Sequence, residues 1–459
     1  MKNSLVLSVF ALLFSASWAL AQQPALQYYR PWDKTGINTF EPSKKADQPE
    51  YTGFKIRIGG SFTQDYQSIT HSNVPTYKPV SGTNPTNANL LYGAGIDGDT
   101  TTGKVSGFNL AMANLNLDFQ IEDGIRVALE NYMSSRHHTE FWVKGGYIQI
   151  DKLPMFGSPQ WYTDHVRVKI GHFQPNYGDM QFRRTDGGNT MYNPFVENFI
   201  MDAFTTEIGG EAYVFVGDFM GMVGMTSGFI NGNVNNYPST PIGSDVEPTE
   251  KKPSIFLKGA YDKQINPNFR FRLSASYYMN PSIQRNTLFA GDRTGSHYFL
   301  AMEPALTGGA ATSQSASFTS GRFNPSFTNE VGTLMINPFV KFYGLEFFGA
   351  YEQAKGRTNR ERDGSERDFT QIAAELLYRF GASEQLYVGG RYNQLTGTPF
   401  GYTSEISIDR LAIAAGWFPS KNLLLKGEYV VQNFNDFPTD DYRNEGKFNG
   451  FMIQAVIGF

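Results

Sequence analysis

From residue 53 onward the chain breaks into segments of period-two alternation, and the connections between them alternate in turn between short and long. In NFRFRLSASYY (268–278), Phe269, Phe271, Leu273, Ala275 and Tyr277 share one face, while Arg270, Arg272, Ser274 and Ser276 share the other. The same pattern recurs in 165–173, 371–380 and 423–432. Successive strand side chains point to opposite faces, so each segment carries one apolar and one polar face. A soluble sandwich would share that alternation; the connections separate the two cases. Short ones fall at 122–124, 217–218, 265–268, near Gly344, 382–384 and 419–422, with 152–164 in the same class. Between them lie 67–104, 134–140, 175–204, 231–253, 281–330, 356–366, 397–406 and 435–447. Short turns at one end, long polar loops at the other, and strands near the spanning length of about 9–11 residues predict an all-β fold: a transmembrane antiparallel β-barrel.

Sixteen strands are expected over 53–459. Eighteen is the alternative, if HYFLAMEP (297–304) and SQSASFTSG (313–321) form a further hairpin. An even number puts both termini at the short-turn, periplasmic end. The chain closes on FMIQAVIGF, with Phe451, Ile453, Ala455, Ile457 and Phe459 on one face. A terminal aromatic on an apolar-faced strand resembles the signal by which bacterial barrel-assembly machinery recognises its clients, here through Phe459.

Met1 to Ala21 reads as a cleavable signal peptide: a basic residue at Lys2, a short apolar run, then Ala19, Leu20 and Ala21. Residues 22–52, charged and proline-containing, read as a periplasmic N-terminal tail. No internal stretch approaches the roughly 20 apolar residues of a membrane helix. A net charge of −4 and the absence of cysteine exclude a basic nucleic-acid binder and a disulfide-stapled domain. The place this implies is the outer membrane of a Gram-negative bacterium, with its lipid as the surroundings.

Sixteen strands leave an aqueous lumen where eight would be filled by their own side chains. By alternation, inward cations such as Lys55, Arg57, Arg126, Lys144, Arg391 and Lys426 outnumber inward acids such as Asp118, Glu130, Glu211 and Glu346. Basic rings in a pore favour anions, so a mild anion preference is expected. The connection 176–204 stands out for its apolar residues Met180, Phe182, Met191, Tyr192, Phe195, Phe199, Ile200 and Met201. Left in water these would form a sticky patch; folded into the barrel they are buried. That fold would place Arg183, Arg184 and Asp186 in the lumen beside Arg167 and Lys169. With Arg270 and Arg272, these are the candidate constriction and solute-facing residues.

The stretches YYRPWDKTGINTFEP (28–42), VRVKIGHFQPNYG (166–178) and FRRTDGGNTMYNPFVENFIMDAFTTEIGGEAY (182–213), with the terminal Phe, resemble porins of the Bacteroidota, distantly related to the phosphate-selective porin O and P family. The resemblance implies a trimeric passive channel of sixteen strands with its third external loop folded inward. An arginine ladder and constriction lysines guide phosphate in that family. Here only the pair Arg183 and Arg184 and scattered wall cations match.

Catalytic signatures are missing from the sequence: there is no G-x-S-x-G elbow, P-loop or zinc-protease helix. The histidines are dispersed, the pair His137 and His138 falls in a loop, and Asp97-Gly98-Asp99 lacks calcium-loop spacing. No cofactor, metal or catalysis is expected. The competing readings are a fatty-acid-type transporter of hydrophobic substrates, which would carry an N-terminal plug and an apolar lumen, and a non-conducting structural or adhesive barrel.

Overall fold

The computed structural model of the protein describes residues 23–45, 47–78, 87–137, 139–229, 250–307, 310–361 and 364–459. The signal-peptide reading of 1–21 and His138 lie outside the described residues. Sixteen antiparallel strands close into one barrel. They are β1 Lys55–Ser72, β2 Thr102–Glu122, β3 Ile125–Ser134, β4 Trp142–Ile150, β5 Val166–Phe173, β6 Glu207–Val216, β7 Phe219–Phe229 and β8 Ser254–Asn266. The remainder are β9 Phe269–Asn280, β10 Glu330–Phe342, β11 Leu345–Arg357, β12 Arg367–Phe380, β13 Leu386–Gly397, β14 Ile406–Ser420, β15 Leu423–Asn435 and β16 Lys447–Gly458.

Each strand pairs with its sequence neighbours, and the seam is made by β1 against β16, with Phe62 opposite Ile457. Gly60 and Phe459 exchange backbone hydrogen bonds of 3.1 Å in both directions, completing that seam. Closure removes the unpaired edge that an open sheet would expose to lipid. The choice between sixteen and eighteen strands resolves to sixteen. Segments 297–304 and 313–321 add nothing to the barrel; among the described residues their connection carries a two-residue pairing, Leu306–Thr307 with Ala310–Ala311, and an isolated bridge from Pro304 to Leu91. β1 and β2 run further than the alternation alone suggested. They pair with each other out to Ser72 opposite Thr102.

Outward positions form an apolar belt in which Ile58, Phe62, Ile170, Val223, Leu376, Leu411 and Ile453 are exposed. Aromatic rings flank it, with Tyr66, Phe108, Tyr392, Tyr429 and Phe451 toward the long-loop end and Phe54, Phe219, Phe342, Phe380, Trp417 and Phe459 at the other. The medium connection adds a short helix at the short-turn rim, Gln160–His165, that presents Trp161 outward. Such a band is a liability in water and a requirement in a bilayer.

The inward face divides into two halves, and here the expectation of a lumen wet throughout needs correction. Toward the short turns the inward side chains include the expected charges, Arg57, Asp118, Arg126, Glu346, Arg379 and Lys426, interleaved with Phe339, Phe348, Leu377, Phe418 and Leu424, which pack in small clusters against Phe40, Met180, Met191 and Tyr192. Toward the long loops Ile69, Val105, Phe256, Leu395, Ile408, Val430 and Phe448 point inward instead. They form one buried apolar cluster with Ile200, Phe289, Tyr298 and Phe323 of the connections. The physical reason is that two long connections, not one, fold into the barrel and bury their aromatic residues there.

Candidate functional site

Connection 174–206, between β5 and β6, enters the lumen and is almost entirely buried from Asp179 to Met201. An irregular segment at that depth must have its backbone groups satisfied by protein, and the barrel wall does this. Gly178 N–H donates to Ser276 Oγ at 2.8 Å and Asp179 N–H to Asn337 Oδ1 at 2.9 Å. Val196, Ile200 and Met201 donate to Glu428 at 2.8 Å, Asn393 at 2.7 Å and Gln371 at 2.8 Å. Lys426 Nζ gathers the carbonyls of Thr190, Asn193 and Phe195 at 3.2, 2.9 and 2.8 Å. Arg391 and Arg410 hold the carbonyls of Glu197 and Asn198. Several cations that alternation turned toward the lumen therefore serve the inserted backbone.

Connection 281–329, between β9 and β10, enters from the same end. Tyr298 O–H donates to Glu428 Oε1 at 2.5 Å, Phe299 N–H to Gln67 Oε1 at 2.9 Å and His297 bonds Asp65 through its ring. Arg322 bridges the two insertions, reaching Glu197 at 2.5 Å, Asp202 at 2.7 Å and Asp186 at 3.0 Å. Burial alone would raise the Glu197 carboxyl, but Arg322, His297 and Arg410 outweigh it and hold it at about 2.

Residues 24–45 and 47–50 run across the short-turn end from inside. Gln27 Nε2 donates to Asp123 at 2.8 Å, Lys44 Nζ to the carbonyls of Asp151 and Val166 at 2.6 and 2.7 Å, and Lys34 N–H to Lys421 O at 2.8 Å. These contacts strap the segment across the mouth. Its upper side meets the first insertion, where Arg30 donates to Phe182 O at 2.8 Å and Arg183 to Asn38 Oδ1 at 2.8 Å. Gly59 of β1 makes room for it: a Cβ there would lie 2.4 Å from Trp32 Cδ1.

Each residue singled out from the sequence lies in the lumen, and each has a partner. Arg183 pairs with Glu346 at 2.9 Å and Glu375 at 3.1 Å. Arg184 pairs with Asp186 at 2.7 Å and Asp202 at 2.5 Å. Arg272 grips Asp179 at 2.8 Å and Glu41 at 2.9 Å, Arg270 meets Asp262 at 2.7 Å, and Arg167 meets Asp151 at 2.8 Å. Lys169 stands 3.5 Å from Glu211. The structure does not gather these seven into one ring. Arg167 and Lys169 line a cavity that Arg183, Arg184, Asp186, Arg270 and Arg272 do not reach.

That cavity lies between β2–β6, the tail and the first insertion, and has a volume of about 190 Å³. Its charged lining is Arg30, Arg126, Lys144, Arg167 and Lys169 against Glu41, Asp118 and Glu130, among the rings of Tyr29, Trp32, Tyr147, Phe173 and Phe182. Sequence reading named only two of its residues as solute-facing. The signal for the rest was present as cross-strand register, since Arg126, Gln149, Lys169 and Glu211 sit opposite one another in turn across β3, β4, β5 and β6.

No family model matches the chain, and no curated protein matches it. Solved structures that resemble it include the anion-selective porin from Comamonas acidovorans, at TM-score 0.48 and 9% identity, covering 88% of this chain and 100% of that one. The outer membrane channel DcaP of Acinetobacter baumannii gives 0.48 and 10%, covering 90% and 100%. OccK2 of Pseudomonas aeruginosa gives 0.40 and 9%, covering 88% and 98%. At such identities and scores, nothing about those proteins' solutes passes to this chain.

Proposed function

We propose that this chain is an outer-membrane porin of a Gram-negative bacterium, exported by a cleaved leader, through which small hydrophilic solutes diffuse passively. The observation that carries this reading is the charged cavity held inside a closed barrel whose outer surface is apolar. No bond is made or broken, so the work of the protein is to set size, charge and dwell time along the path. The path we propose runs beside β2–β6, past Arg126, Lys144, Arg167 and Lys169. These side chains supply a mild anion preference, phosphate included. Arg183, Arg184, Arg270 and Arg272 act by fastening the inserted segments whose edges define the constriction. Assembly as a homotrimer, and recognition of Phe459 by barrel-assembly machinery, complete the proposal.

Swelling of proteoliposomes in iso-osmotic small sugars and amino acids tests it. Entry that falls with solute size supports a porin; vesicles that stay impermeable to all of them reject it. One observation favours a second reading: the long-loop half of the lumen is packed with apolar side chains. A transporter of hydrophobic substrates would use such a filling. It would bind a fatty acid in detergent solution and leave the vesicles tight to sugars.

A further inference from the structure

Two charged groups in the cavity stand apart from the rest. Arg126, Arg167, Lys144 and Glu41 are each bound to a charge of opposite sign: Asp118, Asp151, Asp292 and Arg272. Glu130, on β3, has no hydrogen bond or ion pair among the described residues. Lys169, on β5, donates no hydrogen bond among them either. The acid near it, Glu211, is already satisfied by Asn176 N–H at 2.8 Å and Tyr213 O–H at 2.6 Å, and Lys169 Nζ remains 3.5 Å away. Its ammonium instead sits 4.3 Å from the ring centres of both Tyr147 and Phe173. Burying a charge costs free energy unless a partner replaces its water.

We propose that this cavity binds a zwitterion with an apolar side chain, a neutral α-amino acid or short peptide. Its carboxylate goes to Lys169 and its ammonium to Glu130. A solute of one sign would answer only one of these groups: an anion would leave Glu130 without an ion pair, and a cation would leave Lys169 with only the longer contact to Glu211 and its two rings. The rings of Trp32, Phe173 and Phe182 offer apolar and cation-binding surface around the remainder of the solute. A volume of about 190 Å³ compares with the roughly 30 Å³ a water molecule occupies in the liquid, so a molecule of amino-acid size has room. The proposal rests on the channel reading in that the cavity must open to solvent along the solute path.

The test is calorimetric titration of the detergent-solubilised protein with leucine, 4-methylpentanoate, 3-methylbutylamine and inorganic phosphate. Leucine is expected to bind most tightly. Glu130→Gln should weaken leucine by about tenfold to a hundredfold, as for a lost hydrogen bond to a charge, while leaving 4-methylpentanoate unchanged. Lys169→Gln should do the same while leaving the amine unchanged. Retained heat-modifiability on gels shows that each variant still folds. Tighter binding of phosphate or 4-methylpentanoate than of leucine overturns the proposal, as does no binding of any of the four. Binding needs no membrane, so a protein that binds leucine but fails to conduct refutes only the channel reading. One that conducts without binding refutes only this site.

Discussion

Arg322, on the connection between β9 and β10, places its guanidinium 2.5 Å from Glu197, on the connection between β5 and β6. With Asp186 and Asp202 also in reach, this one side chain ties the two inserted segments together at the centre of the barrel. Replacing it by methionine keeps much of the volume and leaves the buried Glu197 without its ion-pair partner, while Arg184 still holds Asp186 and Asp202. Breaking one partner out of a buried pair costs about 3–5 kcal/mol. Arg322→Met is therefore expected to speed hydrogen exchange in 285–327 and 180–202 and to raise single-channel conductance. Exchange and conductance unchanged from the parent would show that the remaining ties, such as Phe323 N–H on Ile200 O and Ser296 O–H on Glu197, hold the two segments together without Arg322.

The tail across the short-turn mouth should act as a constriction in its own right. Gly59 touches Trp32 too closely for any side chain, with a Cβ at 2.4 Å. Gly59→Val is expected to push the tail aside at about the 1–3 kcal/mol typical of overpacking. Conductance should rise and 26–45 should become sensitive to added protease, with the barrel itself intact. Resistance of the variant to protease would place the mouth's closure elsewhere.

Lys44 gives the tail a dependence on pH. Burial, partly offset by Asp151, lowers its ammonium from the usual 10.5 to about 8. A released tail would hold the proton up to its ordinary value, so between about pH 8 and 10.5 the released state binds more protons than the docked one. Docking therefore strengthens as pH rises through that window, and is weakest below it. Hydrogen exchange of 26–45, corrected for intrinsic rates, should slow from pH 8 to 10. In Lys44→Met that slope should vanish.

Phe459 and Gly60 are bound to each other at the seam by two hydrogen bonds of 3.1 Å. Phe459→Ala keeps those backbone bonds and removes the ring. Folding in lipid vesicles is then expected to be unaffected while the amount reaching the cell's outer membrane falls. An equal loss in both settings would make the ring a matter of barrel stability rather than of recognition.

The strands were legible because their physics is local. One apolar and one polar face per strand is written every second residue, and the alternating segment 371–380 lies wholly within β12. The destination of 176–204 could also be read, from its load of Phe and Met. The other two insertions were harder to see. Tyr28 and Phe40 lie among charged residues and prolines, so that segment reads as solvated although both rings are buried. Tyr298 and Phe323 are spread through a connection rich in Gly, Ser and Thr. Pairing could not be read at all. Arg183 meets Glu375 across 192 positions and Val196 meets Glu428 across 232, and nothing local announces such partners. Counting inward cations therefore overstated the positive charge open to a solute, since most of it is spent on the inserted segments.

The central claim is that solutes cross through the inside of this barrel along the β2–β6 side, and one planar-bilayer experiment addresses it directly. The parent protein should give discrete conductance steps and, under a salt gradient, a reversal potential on the anion side of zero. Lys169→Glu should move that potential toward cations while Arg270→Gln leaves it in place. A bilayer that stays silent with correctly folded protein, or a reversal potential indifferent to Lys169→Glu, would contradict the account.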